Sequence, residues 1–198
     1  MIMKSLEQIW KVRQYHKGKV VYEETKKNII VDEGEKAFVD VFYRGNSSLY
    51  FAATPLFYVG LYQGSVSEAT VLTTIPNEPT TGAYVRQSIA RSTAGWPTIE
   101  KHENDWRVVS TQVTFTATGG TIGPVSGAFL CTSLDNSGVL MGALSMAFER
   151  TIPAGDVIEF ENVGASKGNA TITIDSVTGQ FQSVVLDAVS SPTVAINL

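Results

Sequence analysis

Val109-Ser110-Thr111-Gln112-Val113-Thr114-Phe115-Thr116-Ala117 decides the fold class. Val109, Val113, Phe115 and Ala117 fall on one side of an extended chain, and Ser110, Gln112, Thr114 and Thr116 on the other. A period of two describes a strand with one buried face. Working outward, strands are predicted at 56–62, 83–90, 106–117, 125–132, 138–148, 156–162, 170–175 and 180–188, with turn chemistry between them. Asp135-Asn136-Ser137-Gly138 predicts a hairpin joining two apolar strands, and Ile152-Pro153-Ala154-Gly155-Asp156 a further turn. Towards the N-terminus, residues 9–15 and 20–24 predict a strand pair that reverses at His16-Lys17-Gly18-Lys19, where Gly18 supplies the freedom a tight turn needs. The 198 residues hold 22 Val and 20 Thr, both β-branched, and 17 Gly to turn the chain. The expected fold is mainly β, an antiparallel β-sandwich or jelly-roll-like body.

One segment departs from that pattern. Asp32 is placed to cap a helix, with Glu35 three residues on, as in a capping box. Ala37, Phe38, Val41 and Phe42 recur at helical spacing, and Gly45 is placed to end the run. The pattern predicts one short N-terminal helix at 33–43, with Phe38, Val41 and Phe42 facing the body.

Charge divides the chain unevenly. Residues 1–50 hold nine Lys/Arg and seven Asp/Glu, whereas residues 51–198 hold six and twelve. Sixteen charges in 50 residues, then 18 in 148, mark a composition boundary. It suggests an N-terminal arm at 1–54, a β-sandwich body at 55–163 and C-terminal strands or a tail at 164–198. Mixed charge on the arm suits a partner-specific contact with a different protein; equally, its strands could add to the body's own sheet. The tail could complete the sandwich or lie along a neighbouring subunit. The net charge is −4 with a pI near 5.2. Direct nucleic-acid binding is not expected, because such binders cluster Lys and Arg on one face. The start of the chain lacks the apolar run of a signal peptide, and no apolar stretch reaches the roughly 18 residues of a membrane span.

Motifs for chemistry are sparse. Cys131 is the single cysteine, so an intrachain disulfide is excluded and a zinc site from this chain is implausible. Neither a P-loop nor a Gly-x-Ser-x-Gly elbow is present. His102 beside Glu103 and Asp105 reads as a hydrated loop before it reads as a catalytic base. The same holds for His16 among lysines. Asp135, Asn136 and Ser137 carry oxygens a calcium ion could use, but a hairpin turn explains them more simply. Asp156, Glu159 and Glu161 read as a solvent-facing strand edge. No catalytic residue, metal ligand or cofactor is assigned, and no enzyme is expected. Aromatics give better candidates for a binding or interface surface: Trp96 between Gly95 and Pro97, Trp106, Tyr58 and Tyr62. The long connections 64–82 and 92–105 are expected to be functional or interaction surfaces.

The order of these segments resembles structural proteins of tailed bacteriophage particles. The resembling elements are Phe57-Tyr58-Val59-Gly60-Leu61, Asn77-Glu78-Pro79, Gly82-Ala83-Tyr84-Val85-Arg86, Gly95-Trp96-Pro97, Val113-Thr114-Phe115, Gly119-Gly120-Thr121-Ile122-Gly123-Pro124-Val125, Phe129-Leu130-Cys131-Thr132 and residues 150–156. They cover about two thirds of the chain; the last 35 residues lie outside them. The resemblance implies a virion component assembled in the host cytoplasm: a head decoration, neck-collar or tail-associated protein that binds other virion proteins. It supplies no catalytic residues. A homo-oligomer is expected because exposed strand edges invite pairing, with a trimer preferred by analogy with jelly-roll and fibre proteins of virions. The alternative is a receptor- or carbohydrate-binding module of a tail fibre.

Overall fold

The computed structural model describes residues 6–45, 56–102 and 105–166. Among them, eleven strands and one α-helix form two antiparallel sheets. In chain order the strands are β1 (Leu6–His16), β2 (Lys19–Lys27), β3 (Ile29–Ile30), then helix α1 (Asp32–Arg44), β4 (Leu56–Tyr62), β5 (Gln87–Ala90), β6 (Thr98–His102), β7 (Asp105–Val109), β8 (Val113–Thr116), β9 (Ile122–Cys131), β10 (Leu140–Ile152) and β11 (Val157–Ser166). Sheet A runs β2-β1-β11-β7-β6, with β8 also on β11; sheet B runs β3-β10-β9-β4-β5. Their inner faces share one core. Trp10, Val12, Phe115, Ile158 and Phe160 of sheet A meet Val59, Leu61, Val125, Leu130, Leu144 and Ile152 of sheet B. The protein is a β-sandwich, as the alternating pattern predicts.

The two outer faces differ. Sheet A turns a polar face to solvent: Lys11 bonds Glu161 at 2.7 Å, Arg13 bonds Glu23 at 2.9 Å, and Gln112 donates to Glu159 at 2.5 Å. Glu159 and Glu161 thus answer neighbouring strands. Sheet B is covered on its outer face as well. Tyr62, Phe129, Cys131, Leu140 and Ala143 form a second cluster beneath Val31 and Leu72, with Val66 and Ile75 packed against it. The long 64–82 connection is therefore largely a lid on sheet B, which explains its scattered apolar residues. With both faces buried, β9 reads as a continuous apolar run rather than an alternating one.

The stretch 109–117 is one line of chain broken in the middle. Val113, Phe115 and Ala117 are buried in the core as expected. Val109 is not part of that core: it lies opposite Val163, whereas Val113 lies opposite Phe160. Ser110, Thr111 and Gln112 span only Glu161 and Asn162 on β11, so one extra residue shifts the alternation. This is the effect of a β-bulge. Ser110, expected on the polar face, is buried and fastens the bulge. Its N–H donates to the Asn162 carbonyl at 2.8 Å, and its Oγ accepts from the Asn162 N–H at 2.9 Å.

Three further expectations change. The helix exists, but its N-cap is Val31, with no side-chain cap bond; Asp32 is the first helical residue. Its N–H is satisfied instead by the Glu68 carbonyl at 3.0 Å. Glu33, not Asp32, has the structural work: its Oε2 accepts the N–H groups of Leu72 (3.1 Å) and Leu140 (2.9 Å). Phe38 is 38% exposed rather than buried, and Ala37 on the helix is fully buried; the side chain of Phe42 lies outside the described residues. Gly45 ends the helix in the left-handed region at φ 71, as predicted. Finally, residues 98–102, read as loop, form the edge strand β6, whose polar alternation carries Ile99 outward. The strands predicted at 170–175 and 180–188 lie outside the described residues.

At the N-terminus, β1 runs between β2 and β11, with ten residue pairs to β11 from Leu6↔Ser166 to Tyr15↔Val157.

Candidate functional site

The chain between Ala69 and Ala90 carries only two charged side chains, Glu78 and Arg86. The turn through Gly82 and Ala83, both in the left-handed region at φ 68 and 58, returns the chain so that the two meet. Arg86 Nη2 donates to Glu78 Oε1 at 2.6 Å and Nε to Oε2 at 3.1 Å, a bidentate pair. Its other N–H groups reach the β9–β10 hairpin: Nη1 donates to the carbonyls of Ser133 (3.1 Å) and Asp135 (2.5 Å), and Nη2 to Asn136 Oδ1. These bonds use all five guanidinium donors. The guanidinium also stands 5.1 Å from the centre of the Phe129 ring. Tyr84 completes the cluster, donating to Glu78 Oε2 at 2.6 Å while accepting the Leu61 N–H at 2.9 Å, beyond the end of the β4–β5 pairing. Burial first, then the Glu78 carboxylate, pushes the Tyr84 phenol up, so it stays a donor.

Above this cluster lies an open groove of about 840 Å³, lined by Tyr58, Ser88, Val85, Leu134, Asp135 and Asn136 together with the cluster. Tyr58 and Ser88 are cross-strand neighbours on β4 and β5. Val85 and Leu134 are exposed apolar walls, and Asp135 and Asn136 form a polar rim. The rim is preformed: Asp135 Oδ1 accepts both the amide N–H (2.9 Å) and the hydroxyl (2.5 Å) of Ser137. The Ser137 hydroxyl, followed by its amide N–H, holds the Asp135 carboxyl below its ordinary range. The groove therefore presents apolar walls, one aromatic ring and hydrogen-bonding groups, with the arginine engaged internally.

The candidate residues from the sequence separate here. Tyr58 lines the groove. Tyr62 does not reach a surface: it is fully buried, and its hydroxyl donates to the Leu144 carbonyl at 3.0 Å. Trp96 is half-buried at the sandwich rim, edge-on to Phe57 with ring centres 5.8 Å apart. Trp106 pairs through its backbone with Lys101, and His102 with Asp105, in the β6–β7 hairpin. The side chains of Trp106, His102 and Asp105, and all of Glu103, lie outside the described residues. His16 binds the buried Asp156 at 2.8 Å, tying the β1–β2 turn to the β10–β11 turn. Among the described residues, no group of three or more His, Cys, Asp or Glu could hold a metal ion. Sequence reasoning passed over Arg86 and Glu78; their isolation as two opposite charges in an otherwise uncharged stretch was the available signal.

No helix among the described residues is long and apolar enough to cross a membrane. No curated protein and no solved structure matches the chain. A family model does match, that of the podophage GP4 fiber I protein gp80, over residues 30–167, more than two thirds of the chain. The chain thus belongs to the podophage fiber I protein gp80 family and is a structural component of a tailed-phage virion.

Proposed function

We propose that the chain is a non-enzymatic subunit of a tail fibre, working as a homo-oligomer in contact with other virion proteins. One observation carries this reading: the segment matched to the fibre family, 30–167, coincides with the sandwich from β3 through β11. The chemistry inside that segment supports it. Arg86, its best-placed cation, has all five donors committed to Glu78 and the β9–β10 hairpin, which suits rigidity rather than turnover. In this reading β1 and β2 are part of the body, because β1 is paired on both sides. Mass spectrometry of purified particles, with gold-labelled antibody to locate the protein, tests the proposal. The expected result is labelling of tail appendages. Particles that carry complete fibres without this protein would overturn it.

A second reading, host-surface glycan binding, is favoured by the groove. Tyr58 offers a ring for a sugar face, and Ser88, Asp135 and Asn136 offer hydrogen bonds to hydroxyls, between the apolar Val85 and Leu134. Glycan-array binding lost in both Tyr58→Ala and Asp135→Asn, with Trp96→Ala as the comparison at the rim, is the expected result. Binding that is absent from the wild type, or untouched by the groove substitutions, counts against it.

A further inference from the structure

β2 is the edge of sheet A: β1 pairs with one side, and among the described residues no strand pairs with the other. An open edge offers a row of backbone donors and acceptors to another strand. Charges of a single sign along such an edge would repel a second copy. The order here does the opposite. The strand ends Glu23-Glu24-Thr25-Lys26-Lys27. Laid antiparallel on itself with Thr25 opposite Thr25, it sets Glu23 against Lys27 and Glu24 against Lys26. The two-fold axis repeats both pairs. Opposite charges and Thr–Thr pairs directly across a ladder are both favourable. A slip of one residue keeps only two of the four pairs. A slip of two places Glu24 against Glu24, or Lys26 against Lys26.

A second observation lies beside the same point. β10 departs from β9 between Ser145 and Arg150, and its Ala147 N–H donates to Glu24 Oε2 at 3.1 Å. The next residue, Phe148, is 69% exposed. An exposed aromatic thus follows directly the residue bonded to Glu24, itself one position from Thr25.

We infer that β2 is the pairing edge for a second copy of this chain, joined antiparallel through residues 23–27 with Thr25 on the two-fold axis and Phe148 flanking it. Sheet A then continues across two protomers. The symmetry is two-fold, in place of the three-fold arrangement drawn from analogy. The inference deepens the self-association in the proposed function and is independent of where the particle carries the protein.

Sedimentation velocity on the full chain tests it, over a concentration series from about 1 to 200 µM, since five residue pairs and one aromatic from each protomer make a small interface. Glu23→Lys and Lys27→Glu each convert two attractive pairs into repulsive ones and should weaken the dimer about tenfold or more. The double variant restores the pairing in reverse and should recover the dimer, although it loses the same Arg13–Glu23 bridge as the single Glu23→Lys change. Equimolar Glu23→Lys and Lys27→Glu proteins should dimerise with each other. Thr25→Cys should cross-link to itself on oxidation, while Thr114→Cys, exposed on β8 of the same sheet and away from β2, should not. A wild-type monomer across the series, or Thr25→Cys that fails to cross-link, overturns the inference. An oligomer indifferent to all charge variants overturns this edge while leaving self-association standing.

Discussion

Replacing Arg86 by alanine probes the cluster beneath the groove. The side chain is 4% exposed and the paired Glu78 carboxylate 23%. Removing the guanidinium leaves that carboxylate half-desolvated and strips donors from the Ser133 and Asp135 carbonyls and the Asn136 side chain. Breaking a buried pair by deleting one partner costs about 3–5 kcal/mol. Water reaches Glu78, which argues for the lower end, whereas the stranded hairpin acceptors add to the loss, each at about 1 kcal/mol or more. The expected destabilisation is about 3–4 kcal/mol, from which a fall in Tm of about 6–16 °C follows for a chain of this size. Arg86→Lys should rescue little, because an ammonium has no planar fork to hold Glu78 and the hairpin together. Urea denaturation of both variants measures the loss, and hydrogen exchange locates it. Protection should fall first in 76–86 and 132–139. A loss below about 1 kcal/mol for Arg86→Ala, or full rescue by lysine, would refute the role given to the cluster.

Other perturbations separate local claims. Glu33→Ala should cost about 1–3 kcal/mol by freeing the Leu72 and Leu140 N–H groups, while Asp32→Ala, which removes no cap bond, should cost less than about 0.5 kcal/mol; thermal melts of the two compare them directly. Gly95→Ala should cost about 1–3 kcal/mol or more, because the added methyl meets the Ala90 carbonyl oxygen, and chemical denaturation reads this out. Burial pushes the Cys131 thiol up to about 11 from an ordinary value of 9, so the folded state keeps its proton through that interval. Its contribution to stability is full below pH 9 and is lost as pH rises towards 11; a thiol reagent at pH 8 should label the unfolded chain and spare the folded one. A chain starting near residue 54 should aggregate, since it loses β1 and β2, which uncovers β11's edge, together with β3 and α1, which pack on β10; a folded, soluble product by light scattering would show that these elements are dispensable.

Period-two alternation was enough to predict a sandwich, because sheet A and half of sheet B bury one face per strand. It failed where geometry breaks the period. The bulge at 110–112 leaves no mark in residue type, since Ser110 is polar whether it faces water or binds Asn162. β6 was missed because an edge strand with a polar exposed face resembles a loop. Asp32 and Glu33 are adjacent acids at a helix start, and only tertiary contacts determine that Glu33 reaches Leu72 and Leu140. For the groove, Tyr58 was legible as an aromatic among apolar residues. Arg86 and Glu78 needed the 82–83 turn to bring them together across eight positions of sequence. Trp96 is half-buried between its Gly and Pro neighbours, whereas Tyr62 misled: its end of β4 lies in the cluster with Val31 and Leu72, so its ring has no surface to reach.

The most direct test of the central claim is an electron cryomicroscopy map of the intact particle. The account predicts repeated density at the tail fibres that accepts the two-sheet body, with β1 through β11 placed as one unit and copies related by the tail's symmetry. Density for this sandwich on the head shell alone, with fibres built from other chains, would contradict it.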